Sequence, residues 1–163
     1  MKNKQEFKGE KSTALVKMAK FCSYQDRCQK EVREKLQELL PNVVDQEDVL
    51  NHLLGEKYLD EERYVRSVVR GRFFYKNWGR VKIIHYLKQN EVDSFLVEDV
   101  IAEEIKEDVY IQKIESLVES KLQSTKGKSD FEIKQKILRS LYQKGFETNL
   151  VEYAITDVQS REA

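Results

Sequence analysis

An apolar residue, three others and then a leucine occur three times along the chain, as Val32…Leu36, Ile83…Leu87 and Ile137…Leu141. Four residues make slightly more than one helical turn, so each pair lies on one face of a helix. Five residues after each leucine stand Pro41, Val92 and Phe146, and behind each comes another pair at the same step: Val49/Leu53, Val97/Ile101 and Val151/Ile155. The frames begin 51 and 54 residues apart. Order kept at such a period marks a repeat architecture, whose units bury apolar faces against themselves and their neighbours. The chain is therefore expected to be all-α: an elongated, curved array of three tandem three-helix repeats, about nine helices.

Composition agrees with helices. Pro41 is the one proline, six glycines are scattered through 163 residues, and no stretch sustains the two-residue alternation of a strand. Residues 1–11 are polar, lysine-rich and aperiodic, and are expected to form a loose tail. The spacing places the repeats at 12–56, 57–106 (basic and central) and 107–160. In the first, Pro41 stops the middle helix, Asp45 or Asp48 starts the third, and Gly55 closes it in a left-handed turn. Cys28 stands where a helix begins, with Glu31 three residues on. In the last repeat Asp130 caps a helix that Gly145 closes.

Charge is balanced, 29 Lys and Arg against 29 Asp and Glu, but it is segregated. From Arg63 to Asn90 there are eight bases (Arg63, Arg66, Arg70, Arg72, Lys76, Arg80, Lys82 and Lys88) and no acid. Six aromatics lie among them, including the one tryptophan, Trp78. The acids come just before, at Asp60, Glu61 and Glu62, where Asp60 can cap a helix and all three face its positive end. On a helical wheel Tyr64, Val65, Val68 and Val69 form an apolar stripe. Arg63, Arg66 and Arg70 share the opposite side, with Phe74 on their line, which reads as a cationic ridge turned to solvent. Arg72 and Lys76 fall in phase with the stripe, so either the helix frays past Gly71 or their stems lie over apolar neighbours. A second helix is expected from about Gly79, with Ile83, Ile84 and Leu87 inward and Lys82, His85 and Gln89 outward.

A face that only solubilises mixes both signs, whereas like charges without partners repel one another. The ridge is thus expected to face an anionic or acidic partner. Residues 91–119 carry ten acids against Lys106 and Lys113, and such a dipole orients a partner more than it raises bulk affinity.

No chemistry of its own is indicated. His52 and His85 are the two imidazoles, and neither stands in a nucleophile or metal frame. Cys22 and Cys28, five residues apart in the sequence between them, have neither redox nor zinc spacing and read as reduced thiols. Gly127-Lys128-Ser129 is like the end of a phosphate-binding loop, but Leu122 holds the place of its first glycine. No enzyme, metal or cofactor is expected. No apolar run is long enough to cross a bilayer and no signal-peptide pattern precedes Ser12, so the expected location is cytoplasmic.

The run Tyr58-Leu59-Asp60-Glu61-Glu62-Arg63-Tyr64, leading into a basic helix, resembles the signature of the RecX family, the small bacterial regulators of the RecA recombinase. Gly79-Arg80-Val81-Lys82-Ile83 and Leu87-Lys88-Gln89 are similar to that family's Gly-Pro-basic-basic-Ile and Leu-x-x frame, and Lys144-Gly145-Phe146 to the turn before its last helix. Arg80 replaces a frequent proline, Glu91 stands where glycine is common, and Cys28 takes the place of a capping serine. The resemblance covers residues 12–158.

It implies three three-helix repeats and a place in DNA repair and the SOS response. The implied role is that of a monomer bound in the groove of the filament that RecA forms on single-stranded DNA. There it would suppress ATP hydrolysis, strand exchange, coprotease activity and filament growth. Arg63, Arg66, Arg70, Lys82 and Lys88 would then contact an acidic groove or the DNA phosphates, joined by Arg72, Lys76 and Arg80 where exposed. Phe74 and Trp78 would stack on a base or a guanidinium, unless Trp78 seals the corner between helices. The alternative role is a stand-alone nucleic-acid binder, which must draw all its affinity from the basic stretch of a chain with no net charge.

Overall fold

The computed structural model describes residues 7–162, and among them are nine α-helices, one π-helical segment and no strand. The helices are α1 (Glu10–Tyr24), α2 (Gln29–Leu39), α3 (Val43–Gly55), α4 (Glu61–Arg70), α5 (Arg80–Gln89), α6 (Ser94–Glu104), α7 (Glu107–Ser124), α8 (Asp130–Gln143) and α9 (Thr148–Glu162). The expected tail over 1–11 falls partly outside the described residues, and α1 begins inside it, at Glu10.

Local side chains set most of the helix ends. The Glu31 carboxylate accepts the backbone N–H of Cys28 at 3.0 Å, opening α2. Asp60 accepts the N–H of Arg63 at 2.9 Å and opens α4, as its position predicts. Two caps lie earlier than expected, one by three residues or more and one by a single residue. Asn42, not Asp45 or Asp48, accepts from Val44 and Asp45 at 2.8 and 3.3 Å, because the helix starts directly behind Pro41. Ser129, not Asp130, accepts from Glu132 at 3.2 Å, leaving Asp130 in the first turn where its charge suits the dipole. Gly145 closes α8 at φ 93, as expected, whereas α3 ends with Gly55 still helical and Lys57 left-handed at φ 58.

Glu91, in the turn between α5 and α6, is also left-handed, at φ 58. A side chain there costs on the order of 1 kcal/mol that glycine does not incur. Glu91→Gly is expected to raise the unfolding free energy by roughly that amount in urea titration; a lower midpoint would contradict the strain.

The described chain forms two compact units. One ends at Ser67 and takes in Asn90–Val92; the other comprises Val68–Gln89 and the residues from Asp93 onward. In the first unit α1, α2 and α3 pack together around Met18, Val32, Leu36, Val49, Leu53 and Leu59. In the second, α7 packs on α8 and α9. Its core holds Ile83, Leu87, Val97, Ile101, Ile137, Leu141, Val151 and Ile155, so every apolar pair of the recurring frame is buried.

Past Gly71 the helical ladder widens. The N–H of Lys76 donates to the carbonyl of Gly71, five residues back, at 3.2 Å, and Gly71–Tyr75 is π-helical. A wider turn shifts the helical phase of the residues behind it. Phe73, four residues after the buried Val69, is itself fully buried, stacking on Tyr110 at 5.8 Å between ring centroids, with Phe146 beyond it at 5.8 Å. The chain therefore does not fray at Gly71. On α5, Ile83 and Leu87 are buried as expected, but Ile84 is 41% exposed rather than inward. Among the described residues no helix is long and apolar enough to cross a membrane. None of their His, Cys, Asp and Glu groups is placed to hold a metal ion.

Candidate functional site

The arginines of α4 lie outside the core, but they are not a row of unpaired cations. In the first unit Arg63 Nε donates to Asp26 at 2.6 Å, and its terminal nitrogens to the carbonyls of Lys57 and Tyr58 at 3.1 and 3.2 Å. The bond to Asp26 holds its pKa above the ordinary arginine value. Arg66 donates to Glu62, one turn back, at 2.9 Å. In the second unit Arg70 makes two parallel bonds to Glu104, each 2.7 Å.

Arg80 is also tied up. It donates to Glu147 at 3.0 Å and to Glu107 at 2.8 Å while lying 3.9 Å over the ring of Tyr110. The expected uncompensated ridge is corrected accordingly. Glu104 and Glu107 belong to the acidic stretch, which supplies internal partners as well as surface charge. Asp26, Glu104, Glu107 and Glu147 stand 37, 34, 27 and 67 residues from their arginines, out of reach of a local charge count.

Tyr110 joins this network at the start of α5. Its hydroxyl accepts the backbone N–H of Arg80 at 3.1 Å and donates to Glu147. Burial, reinforced by the bond to Glu147, pushes the phenol's pKa well above its ordinary value. A raised pKa means that the fold favours the neutral phenol. Its contribution is therefore complete below the unfolded value of about 10 and is lost as pH rises towards the folded one. Tyr110→Phe is expected to cost about 1–3 kcal/mol at neutral pH and to flatten the loss of stability above about pH 10. Urea unfolding from neutral to alkaline pH checks this; parallel pH profiles for the two proteins would contradict it.

Two cations of the basic stretch are held without an acid. The guanidinium of Arg72 lies 4.8 Å over Trp78 and 5.0 Å over Tyr86, and the ammonium of Lys82 lies 4.3 Å over the same Trp78 ring. Trp78 meets Tyr86 edge-on at 5.8 Å. Neither Arg72 nor Lys82 has an ion pair among the described residues. Trp78 is half-buried, and the guanidinium over its ring comes from its own chain.

The turn behind Trp78 is built to present it. Asn77 is left-handed at φ 57, its side-chain oxygen accepts from Lys113 at 2.8 Å, and the Trp78 N–H donates to the carbonyl of Arg72 at 2.9 Å. Lys113 also lies 5.2 Å over Phe73, and burial lowers its pKa. Sequence reasoning missed Tyr86 and Lys113. Tyr86 was within reach, four residues after Lys82 and so on the same helical face, whereas Lys113 carries no local signal.

The remaining candidates are exposed. Lys76 and Lys88 have no ion pair among the described residues. Phe74 is 44% exposed, edge-on to Phe73 at 4.9 Å, and its neighbour Tyr75 is 85% exposed. The structure thus gathers Arg72, Lys82 and Trp78, places Lys76, Lys88 and Phe74 at the surface, and ties Arg63, Arg66, Arg70 and Arg80 to carboxylates. Cys22 and Cys28 are free, buried thiols whose pKa values burial raises.

Two family models match the chain: the second three-helix domain of RecX over residues 60–101 and the third over residues 108–155. The regulatory protein RecX of Finegoldia magna is 30% identical over 127 residues, which cover 77% of this chain and 62% of that protein. The regulatory protein RecX of Vibrio parahaemolyticus is 30% identical over 112 residues, covering 69% of this chain and 70% of its own. For that of Oceanobacillus iheyensis the figures are 29% over 145 residues, 87% and 52%. The chain spans between half and two thirds of the Finegoldia and Oceanobacillus proteins. A crystal structure of RecX from Lactobacillus salivarius has a TM-score of 0.82 to this fold over 92% of the chain and 97% of its own, at 23% identity. With the two domain matches, that likeness establishes an all-α repeat fold.

Proposed function

The chain belongs to the RecX family of regulatory proteins, and from that premise we propose that it binds RecA filaments on single-stranded DNA and restrains them. The restraint falls on ATP hydrolysis, strand exchange, coprotease activity and filament extension, and it takes place in the cytoplasm. The observation that carries this reading is the match to the family's second three-helix domain over residues 60–101. That domain contains the whole basic stretch, including two cations mounted on aromatic rings instead of carboxylates.

Ion pairing does not remove the other arginines from such a surface. The side chains of Arg63 and Arg70 remain 45% and 59% exposed, and exposed pairs contribute only about 0–1 kcal/mol. A densely anionic partner can therefore compete for them, and Lys76 and Lys88 need no exchange at all.

Co-sedimentation tests the proposal. The chain is expected in the pellet with RecA assembled on single-stranded DNA, and in the supernatant when RecA is omitted and replaced by an unrelated protein. A chain that stays in solution beside assembled filaments would overturn the reading.

A further inference from the structure

Resting on the reading above, a narrower assignment concerns the aromatic cluster. We propose that Arg72 and Lys82, mounted on Trp78 and Tyr86, hold a phosphodiester group of the single strand, so that the chain touches the nucleic acid itself.

Elsewhere in the basic stretch, Arg63, Arg66, Arg70 and Arg80 each reach a carboxylate. Arg72 and Lys82 instead stand 4.8 and 4.3 Å from one ring centroid. Neither cation has an ion pair among the described residues, so an anion brought to this ring is attracted by both. The Arg72 guanidinium lies 4.8 and 5.0 Å from the centroids of Trp78 and Tyr86, two rings set edge-on to each other. Its N–H groups form a fork that matches paired phosphate oxygens.

The neighbouring side chains favour a nucleic-acid strand over an acidic protein surface. Phe74 and Tyr75 sit on the same π-helical segment as Arg72, 44% and 85% exposed. Exposed flat rings beside cations suit a single strand, whose bases stack while its phosphates pair. A carboxylate partner uses the cations and leaves the rings without a role. The π-helical turn itself is a costly irregularity of the kind that recurs at functional sites.

Trp78 is the only tryptophan, so its emission reports on this cluster alone. The full chain is titrated with an oligothymidine strand, and affinity is measured over a series of salt concentrations. Trp78 emission is expected to change on binding with the phosphodiester strand and not with an uncharged methylphosphonate strand. Arg72→Gln/Lys82→Gln is expected to weaken binding roughly tenfold at low salt and to flatten the log–log salt slope by about one unit. Lys17→Gln/Lys20→Gln removes the same charge from exposed positions on α1 and is expected to leave the slope unchanged.

Unchanged affinity and slope in the first variant would overturn the proposal, as would an equal Trp78 response to both strands. Loss of binding to DNA-free RecA with strand binding intact would also overturn it, and would assign the cations to a carboxylate-bearing partner. A wild-type chain that binds the strand as expected yet ignores assembled filaments would defeat the proposed function and leave this inference standing.

Discussion

Gly79→Ala is expected to unfold the second unit under conditions in which the wild-type chain is intact. An added methyl would lie 2.2 Å from the carbonyl oxygen of Gly145, 2.3 Å from its carbon and 2.5 Å from the nitrogen of Phe146. All three are backbone atoms, so no rotamer change relieves the collision. The close approach serves a purpose. The Gly79 N–H donates to the carbonyl of Lys144 at 2.7 Å and that of Val81 to Gly145 at 3.0 Å. These bonds satisfy donors at the start of α5 that a helix cannot satisfy internally.

Gly145 has the reciprocal constraint. It is left-handed at φ 93, and a methyl there would meet Lys82 Cβ at 2.3 Å and Lys82 N at 2.5 Å. The two glycines face each other across the joint that seats Arg80 and Lys82, so the fold of the last helices and the placing of the cluster share one contact. Either alanine substitution is expected to cost on the order of 3–5 kcal/mol, the range of strain with broken hydrogen bonds. Thermal melting by circular dichroism reads it directly. An unchanged melting temperature for Gly79→Ala would mean that the joint is not formed.

The second large effect is expected at Phe73. Fully buried, it stacks on Tyr110 at 5.8 Å and carries the ammonium of Lys113 at 5.2 Å on its ring. Phe73→Ala removes the ring and leaves a cavity, at a cost of about 3–5 kcal/mol. Phe74→Ala, one residue on and 44% exposed, is expected to cost less than about 1 kcal/mol. Urea unfolding of the two variants compares neighbours of identical chemistry. Similar losses for both would contradict the burial of Phe73 and the exposure of Phe74.

The helices and their buried faces are legible because their signals are short-ranged. A four-residue step, a cap two or three residues ahead and a proline after the last turn all lie within one window, so Val32/Leu36, Asp60 and Pro41 read correctly. Asn42 stands three residues before Asp45 and Ser129 one before Asp130, where two polar side chains compete for one set of N–H groups. The π turn leaves no mark: Gly71 to Tyr75 satisfy an α-helical wheel too, and the two forms differ in the Lys76 N–H, which bonds the Gly71 carbonyl five residues back. The charged site was the least legible part. Arg66 does have an acid four residues before it, which the sequence displays. The acids for Arg63, Arg70 and Arg80 arrive only through tertiary packing. Among the described residues the cations left without an acid are Lys76 and Lys88 at the surface and Arg72 and Lys82 over aromatic rings, and of those rings Tyr86 was visible only through its spacing from Lys82.

The most direct test of the central claim is the rate of ATP hydrolysis by RecA on single-stranded DNA, titrated with the intact chain. A regulator that binds assembled filaments predicts a saturable fall in turnover at chain concentrations below that of RecA. Undiminished hydrolysis at equimolar chain, with the chain shown to be folded, would contradict it.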